Sequence, residues 1–100
     1  MASFEELKKT WRFKKELLDR FAKARKSTIV ESKSYDGWDI MLQFVELKNR
    51  HSPREVMYTS VGSTYPEVYD ELLKMIMQSN RWSTVEEIEV WLDLNGGLSQ

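Results

Sequence analysis

Hydrophobic positions recur along the chain first with a period near 3.6, then with a period of two, then near 3.6 again. From Ser3 to about Lys26, Phe4, Leu7, Trp11, Leu17, Leu18, Phe21 and Ala22 fall on one broad stripe at about 100° per residue, which predicts an amphipathic helix. Ser3 is placed to cap it, with Glu6 three residues on as a capping box requires. Lys14 is the one charge inside the stripe, and its apolar stem lets it snorkel.

Between Thr28 and Tyr35 β-forming residues take over, and Asp36-Gly37 is a type I′ hairpin signal. Beyond it Trp38, Ile40, Leu42 and Phe44 alternate with Asp39, Met41, Gln43 and Val45, the first set reading as a core-facing row. A two-residue turn would pair Tyr35 with Trp38, Lys33 with Ile40, Glu31 with Leu42 and Ile29 with Phe44. Glu31 and Lys33 then share a face with core residues, which suits an edge strand guarded by inward charges. Lys48 to Arg54 is a polar turn, and a third strand follows from Glu55 to about Val61.

Gly62-Ser63-Thr64 closes that strand, and a helix starts at Thr64 or Tyr65 with Pro66 in its first turn. Val68, Tyr69, Leu72, Leu73, Met75 and Ile76 form its stripe, which ends near Gln78-Ser79-Asn80. Ser83 or Thr84, with Glu86 or Glu87 three residues on, opens a last helix whose inner face is Val85, Ile88, Trp91 and Leu92. Asn95-Gly96-Gly97 is its stop signal. The order α-β-β-β-α-α predicts one α+β domain over residues 1–100: a three-stranded antiparallel meander with an N-terminal helix and two C-terminal helices.

Composition narrows the function. The 100 residues are 41% apolar and 31% charged, as in a globular protein. The chain has no cysteine, which removes disulfide scaffolds, thiolate metal sites and thiol nucleophiles and suits a reducing, cytoplasmic setting in a bacterial or virus-infected cell. No apolar run approaches the roughly 20 residues that cross a bilayer. Glu5, Glu6, Lys8 and Lys9 come too early for a signal peptide, so no membrane association is expected.

Catalytic parts are scarce. His51, between Arg50 and Ser52, is the only imidazole; it reads as a solvated loop residue, the alternative being a general base beside Ser52. Asp36 and Asp39 lack the ligand count of a calcium loop, and Gly62 is a single glycine without the lysine of a phosphate-binding loop. The expectation is a protein without enzymatic activity, cofactor or metal.

The near-neutral total of −1 hides a dipolar chain, +5 over residues 1–34 and −6 over residues 35–100. Lys8, Lys9, Arg12, Lys15, Arg20 and Lys23 line the polar side of the first helix, a footprint for nucleic acid. The competing reading is a solvated helix paired at i,i+4: Glu5 with Lys9, Glu16 with Arg20, Asp19 with Lys23. The α-β-β-β-α order is similar to that of the double-stranded-RNA-binding domain, a family that reads RNA partly through the loop between its first two strands and a lysine-rich start to its second helix. Here that loop shrinks to Asp36-Gly37 and the second helix starts Pro66-Glu67-Val68-Tyr69-Asp70-Glu71, which is acidic, so the likeness ends at element order.

Protein partners are the stronger expectation. Met41 and Val45 lie on the opposite face of the second strand, Met57 continues that face on the third, and Met77 and Trp82 are further apolar candidates. The alternative for the sheet face is that the first helix covers it, giving three layers. Trp82 reads equally as an anchor or as a staple onto the last helix. Glu67, Asp70, Glu71, Glu86, Glu87, Glu89 and Asp93 form an acidic surface suited to a basic channel. The expected function is a small interaction module, of the kind of virus- or mobile-element-encoded inhibitors that occlude a larger host protein such as a defence nuclease. Nucleic-acid binding through the basic helix and a homodimeric structural subunit are the alternatives.

Overall fold

The row Trp38, Ile40, Leu42 and Phe44 becomes the centre of a sheet whose inner face carries the helices. The computed structural model describes residues 10–47 and 53–95. Its elements are α1 (Trp11–Ala24), β1 (Val30–Ser34), β2 (Gly37–Leu47), β3 (Pro53–Gly62), α2 (Tyr65–Asn80) and α3 (Val85–Asn95). The strands form an antiparallel meander in the order β1-β2-β3, so the fold is α+β in the expected order. None of these helices is long and apolar enough to cross a membrane.

Helix α1 starts later than its pattern predicts. Thr10 has extended backbone, φ −77° and ψ 149°, and its side chain accepts a hydrogen bond from Phe13 N at 3.3 Å. A threonine oxygen in that position satisfies a free first-turn N–H, so Thr10 is the true N-cap and a continuous helix from Ser3 is not formed. Ser3, Glu6, Phe4 and Leu7 lie outside the described residues.

Two helices end without glycine. Lys26 and Arg81 adopt φ 58° and 60°, and in both cases the next amide folds back: Ser27 N donates to Ala22 O at 2.9 Å and Trp82 N to Met77 O at 2.8 Å. These are Schellman turns built on basic residues, which the glycine rule does not flag.

The β1–β2 hairpin differs from its expected register by two residues. Ser34 pairs with Gly37, Lys33 with Trp38, Glu31 with Ile40 and Val30 with Met41, so the loop is Tyr35-Asp36. Neither loop residue has a positive φ, and the type I′ turn is therefore not made. A slip of two preserves which side chains face inward, so Glu31 and Lys33 stay on the core side as expected. Gly37 is needed for another reason, since a Cβ there would collide with the carbonyl oxygen of Gly62 on β3.

The inner row is buried with Leu17, Leu18, Phe21 and Ala22 of α1, Val68, Tyr69, Leu72, Leu73 and Ile76 of α2, and Ile88 and Leu92 of α3. Each fully buried aliphatic side chain contributes about 1.5–3 kcal/mol relative to exposure. Helix α2 lies across β3 and β2, tied by Ser60 Oγ donating to Val68 O at 2.9 Å and Tyr58 hydroxyl to Ser79 Oγ at 2.7 Å. Helix α1 packs on α2 and α3 on that same side, with Phe21 against Phe44 at 6.0 Å between ring centroids. Among the described residues α1 therefore does not cover the outer sheet face, as the three-layer alternative would require.

If close approach to β3 is why residue 37 is glycine, Gly37→Ala should cost about 1–3 kcal/mol, the range for overpacking. Asp36→Ala, in the turn itself, should stay within about 0.5 kcal/mol. Urea denaturation measures both, and a neutral Gly37→Ala contradicts the account.

Candidate functional site

Alternation along three paired strands puts Val30, Met41, Val45, Met57 and Val61 together on the outer sheet face. Val30, Val45, Met57 and Val61 are 54%, 63%, 58% and 72% exposed, and Met41 is half-buried among them. Asp39 and Glu55 are the charged members of this face, at opposite ends of it. A shallow depression of about 300 Å³ runs over Val30, Met41, Thr59 and Val61. Among the described residues no element covers the face. Of the apolar candidates, Met41, Val45 and Met57 are thus brought together.

Met77 and Trp82 are not part of that face. Met77 is partly buried against the core near the end of α2. Trp82 packs onto the last helix, its ring tilted against Trp91 at 6.1 Å and edge-on to Phe21 at 6.1 Å, and with Trp91 it lines a groove.

The basic face of α1 is thinner than its sequence suggests. Lys14 reaches across to Asp70 of α2 at 2.5 Å, which holds the Asp70 carboxyl below its ordinary range, with Lys74 at 3.4 Å adding to the effect. Asp19 pairs with Lys15 at 3.0 Å, and the Lys15 ammonium also lies 5.6 Å from the Tyr69 ring. Arg12 stacks over Trp11 at 5.7 Å, while Arg20 and Lys23 are exposed. Lys8 and Lys9 lie outside the described residues, as does His51.

The acidic set divides in two. On α2, Glu67 closes a cap by accepting from Ser63 N at 3.1 Å, Asp70 is engaged by Lys14, and Glu71 sits 3.6 Å from Lys74. On α3, Glu86, Glu87, Glu89 and Asp93 occur on a helix without Lys or Arg, and Glu87 accepts from Ser83 N at 3.3 Å. The acidic side chains of α3 thus share their helix with no basic residue, unlike those of α2.

Two polar clusters escaped the sequence reading. At one end, the Glu31 carboxylate accepts from both the Tyr65 and Tyr69 hydroxyls, with Trp38 and Trp11 edge-on to Tyr65 at 4.9 and 5.3 Å. The i,i+4 tyrosines and the inward parity of Glu31 were the available signal. Partial burial pushes the Glu31 carboxyl up, but the two phenols and the Lys15 ammonium outweigh it and hold it below its ordinary value. Burial and the neighbouring carboxylate push both phenols up. Two phenol donors on one carboxylate tie β1 to α2.

At the other end, the Arg25 guanidinium lies 4.7 Å from the Trp91 ring, 5.1 Å from Phe44 and 5.7 Å from Phe21, with Glu46 at 3.6 Å. Its Nε is buried without a hydrogen-bond partner, so the rings carry that side of the cation. Little local marks Arg25, since apart from Phe21 its neighbours come from β2 and α3.

Among the described residues no three His, Asp or Glu side chains converge as a metal ion would require. Compared with known protein families, curated proteins and solved structures, the chain matches none.

The Glu31 cluster sets a pH dependence. A carboxyl held below its unfolded value, ordinarily 4.5, stabilises the fold above that value and ceases to do so as pH falls through its folded pKa. In chemical denaturation followed from pH 7 to pH 3, Glu31→Gln should be less stable than wild type at neutral pH. The two should converge in acid, and parallel curves would rule out the linkage.

Proposed function

We propose that this chain is a non-enzymatic protein-interaction module that works by covering a surface of a larger protein. The observation that carries the reading is the outer sheet face: five apolar side chains, interspersed with Ser32, Gln43 and Thr59, without a covering layer among the described residues. Scattered exposed hydrophobics are ordinary on monomers, whereas contiguous apolar patches of a few hundred Å² mark contact surfaces. The face as a whole, with strands about 4.8 Å apart, is of that order, and its apolar side chains make up part of it. Asp39 and Glu55 at its ends favour a partner whose rim is basic. A host enzyme with a basic, nucleic-acid-handling surface fits that description, which supports the inhibitor reading.

The nucleic-acid alternative draws on fewer residues than the sequence offers it, because Lys14 and Lys15 are engaged in ion pairs with Asp70 and Asp19. Arg12, Arg20 and Lys23 remain its best candidates.

Val45→Asp/Met57→Asp changes two exposed side chains and should leave the melting temperature within about 3 °C of wild type. In affinity capture from host lysate the double variant should lose the protein retained by wild type, while Arg12→Glu/Arg20→Glu/Lys23→Glu keeps it. Loss in the helix variant, together with salt-sensitive retardation of DNA or RNA by wild type, would replace this reading with the nucleic-acid one.

A further inference from the structure

A sheet ends in two edge strands, and each leaves alternate backbone N–H and C=O groups without a ladder partner. The two edges of this sheet are built differently. Strand β1 has five residues, and Glu31 and Lys33 turn charge toward the core side, both ordinary devices against unwanted pairing. Strand β3 has ten residues, and from Val56 to Gly62 it carries neither charge nor proline. Among the described residues no strand lies beyond it. Helix α2 flanks this open edge. Its β3 side is marked by Val68, whose carbonyl accepts from Ser60, and by Ser79, which accepts from the Tyr58 hydroxyl. Its α1 side is marked by Asp70, paired with Lys14. Helical rotation puts Met75 on the β3 side, where it is half-buried and lies outside the core that its spacing suggests. Glu71 shares that flank and is exposed.

We propose that β3 joins two copies of this chain, antiparallel about a two-fold axis, into one six-stranded sheet. Register favours a second copy. An axis at the exposed Thr59 sets Met57 opposite Val61 and Tyr58 opposite Ser60 of the second copy, with the two threonines side by side. Only uncharged residues are then paired, and Arg54 and Glu55 stay beyond the paired stretch. The helices agree with that axis. Tyr58 and Ser60, on either side of Thr59, hold Ser79 and Val68, so the axis passes beside the middle of α2. Strands pair about 4.8 Å apart and α2 lies chiefly over β3, so the two α2 helices come within about 10 Å, an ordinary packing distance. Lys74 bridges Asp70 and Glu71 of its own helix. The antiparallel arrangement brings Glu71 of each helix toward the Lys74–Met75 turn of the other, so opposite charges frame the two methionines. An unrelated strand would match the edge but not this flank. The outer sheet face stays open in the assembly, so the inference does not depend on the function proposed above.

Sedimentation equilibrium of the full chain should show a reversible dimer by the high micromolar range. Hydrogen exchange at β3 amides should slow as concentration rises, while exchange at β1 amides stays constant. Thr59→Lys sets two like charges side by side and should weaken the dimer about tenfold or more. Met75→Glu, which acts from the α2 flank against Glu71 of the second copy, should weaken it in the same direction. Val45→Asp, on β2 in the outer face, should dimerise like wild type. A monomer at every concentration overturns the inference. So does a dimer unchanged in folded Thr59→Lys and Met75→Glu, or one dissolved by Val45→Asp instead.

Discussion

Helix α2 lies on one face of a three-stranded sheet with α1 and α3 packed on that same side, and the rest of the molecule follows from that one-sided burial. Side chains alternate across a strand, so placing Ile40, Leu42 and Phe44 beneath the helices commits Met41 and Val45 to the other side. The inner row is contiguous with the buried stripes of α1, α2 and α3 in one core. The outer row meets no second layer among the described residues. The surface proposed to bind a partner is thus the geometric complement of the core, produced by the same strand residues.

The edges of the helical layer are fastened by charge set among aromatic rings. At one end Glu31 joins β1 to α2 through two phenol donors. At the other, Arg25 joins α1 to β2 and α3, stacked among Trp91, Phe44 and Phe21 and paired with Glu46. Both devices place an ion where the surrounding groups offset the loss of water. Removing one partner from such a set is more damaging than its exposure suggests, because the remaining group is left poorly solvated.

Element order and the buried stripes are legible in the sequence because each depends on a local period. Ile40, Leu42 and Phe44, the α2 stripe from Val68 to Ile76, and Ile88 with Leu92 all occupy the positions their spacing implies. The hairpin loop is not, because Asp36-Gly37 imitates a turn signal, while Gly37 is required by its neighbour Gly62 in a strand that follows much later. Thr10 lies inside an apparently continuous stripe, where a capping residue is hard to distinguish from an ordinary polar position. Pairings such as Lys14 with Asp70 and Arg25 with Trp91 link segments far apart in the chain. The outer apolar row is visible as alternation, but whether α1 covers it depends on three-dimensional packing. Met75 is grouped with the α2 stripe by spacing, although its place at the margin of that stripe leaves it half-buried.

The Phe21 cluster has a consequence for when the molecule acquires its shape. Phe21 touches Phe44, Trp82 and Trp91, so an early helix completes its core only against the last helix of the described chain. Closing that long loop is entropically costly before its contacts form. During synthesis α1 therefore finds α2 and β2 first, but its core closes only when α3 has left the ribosome, and folding is completed late.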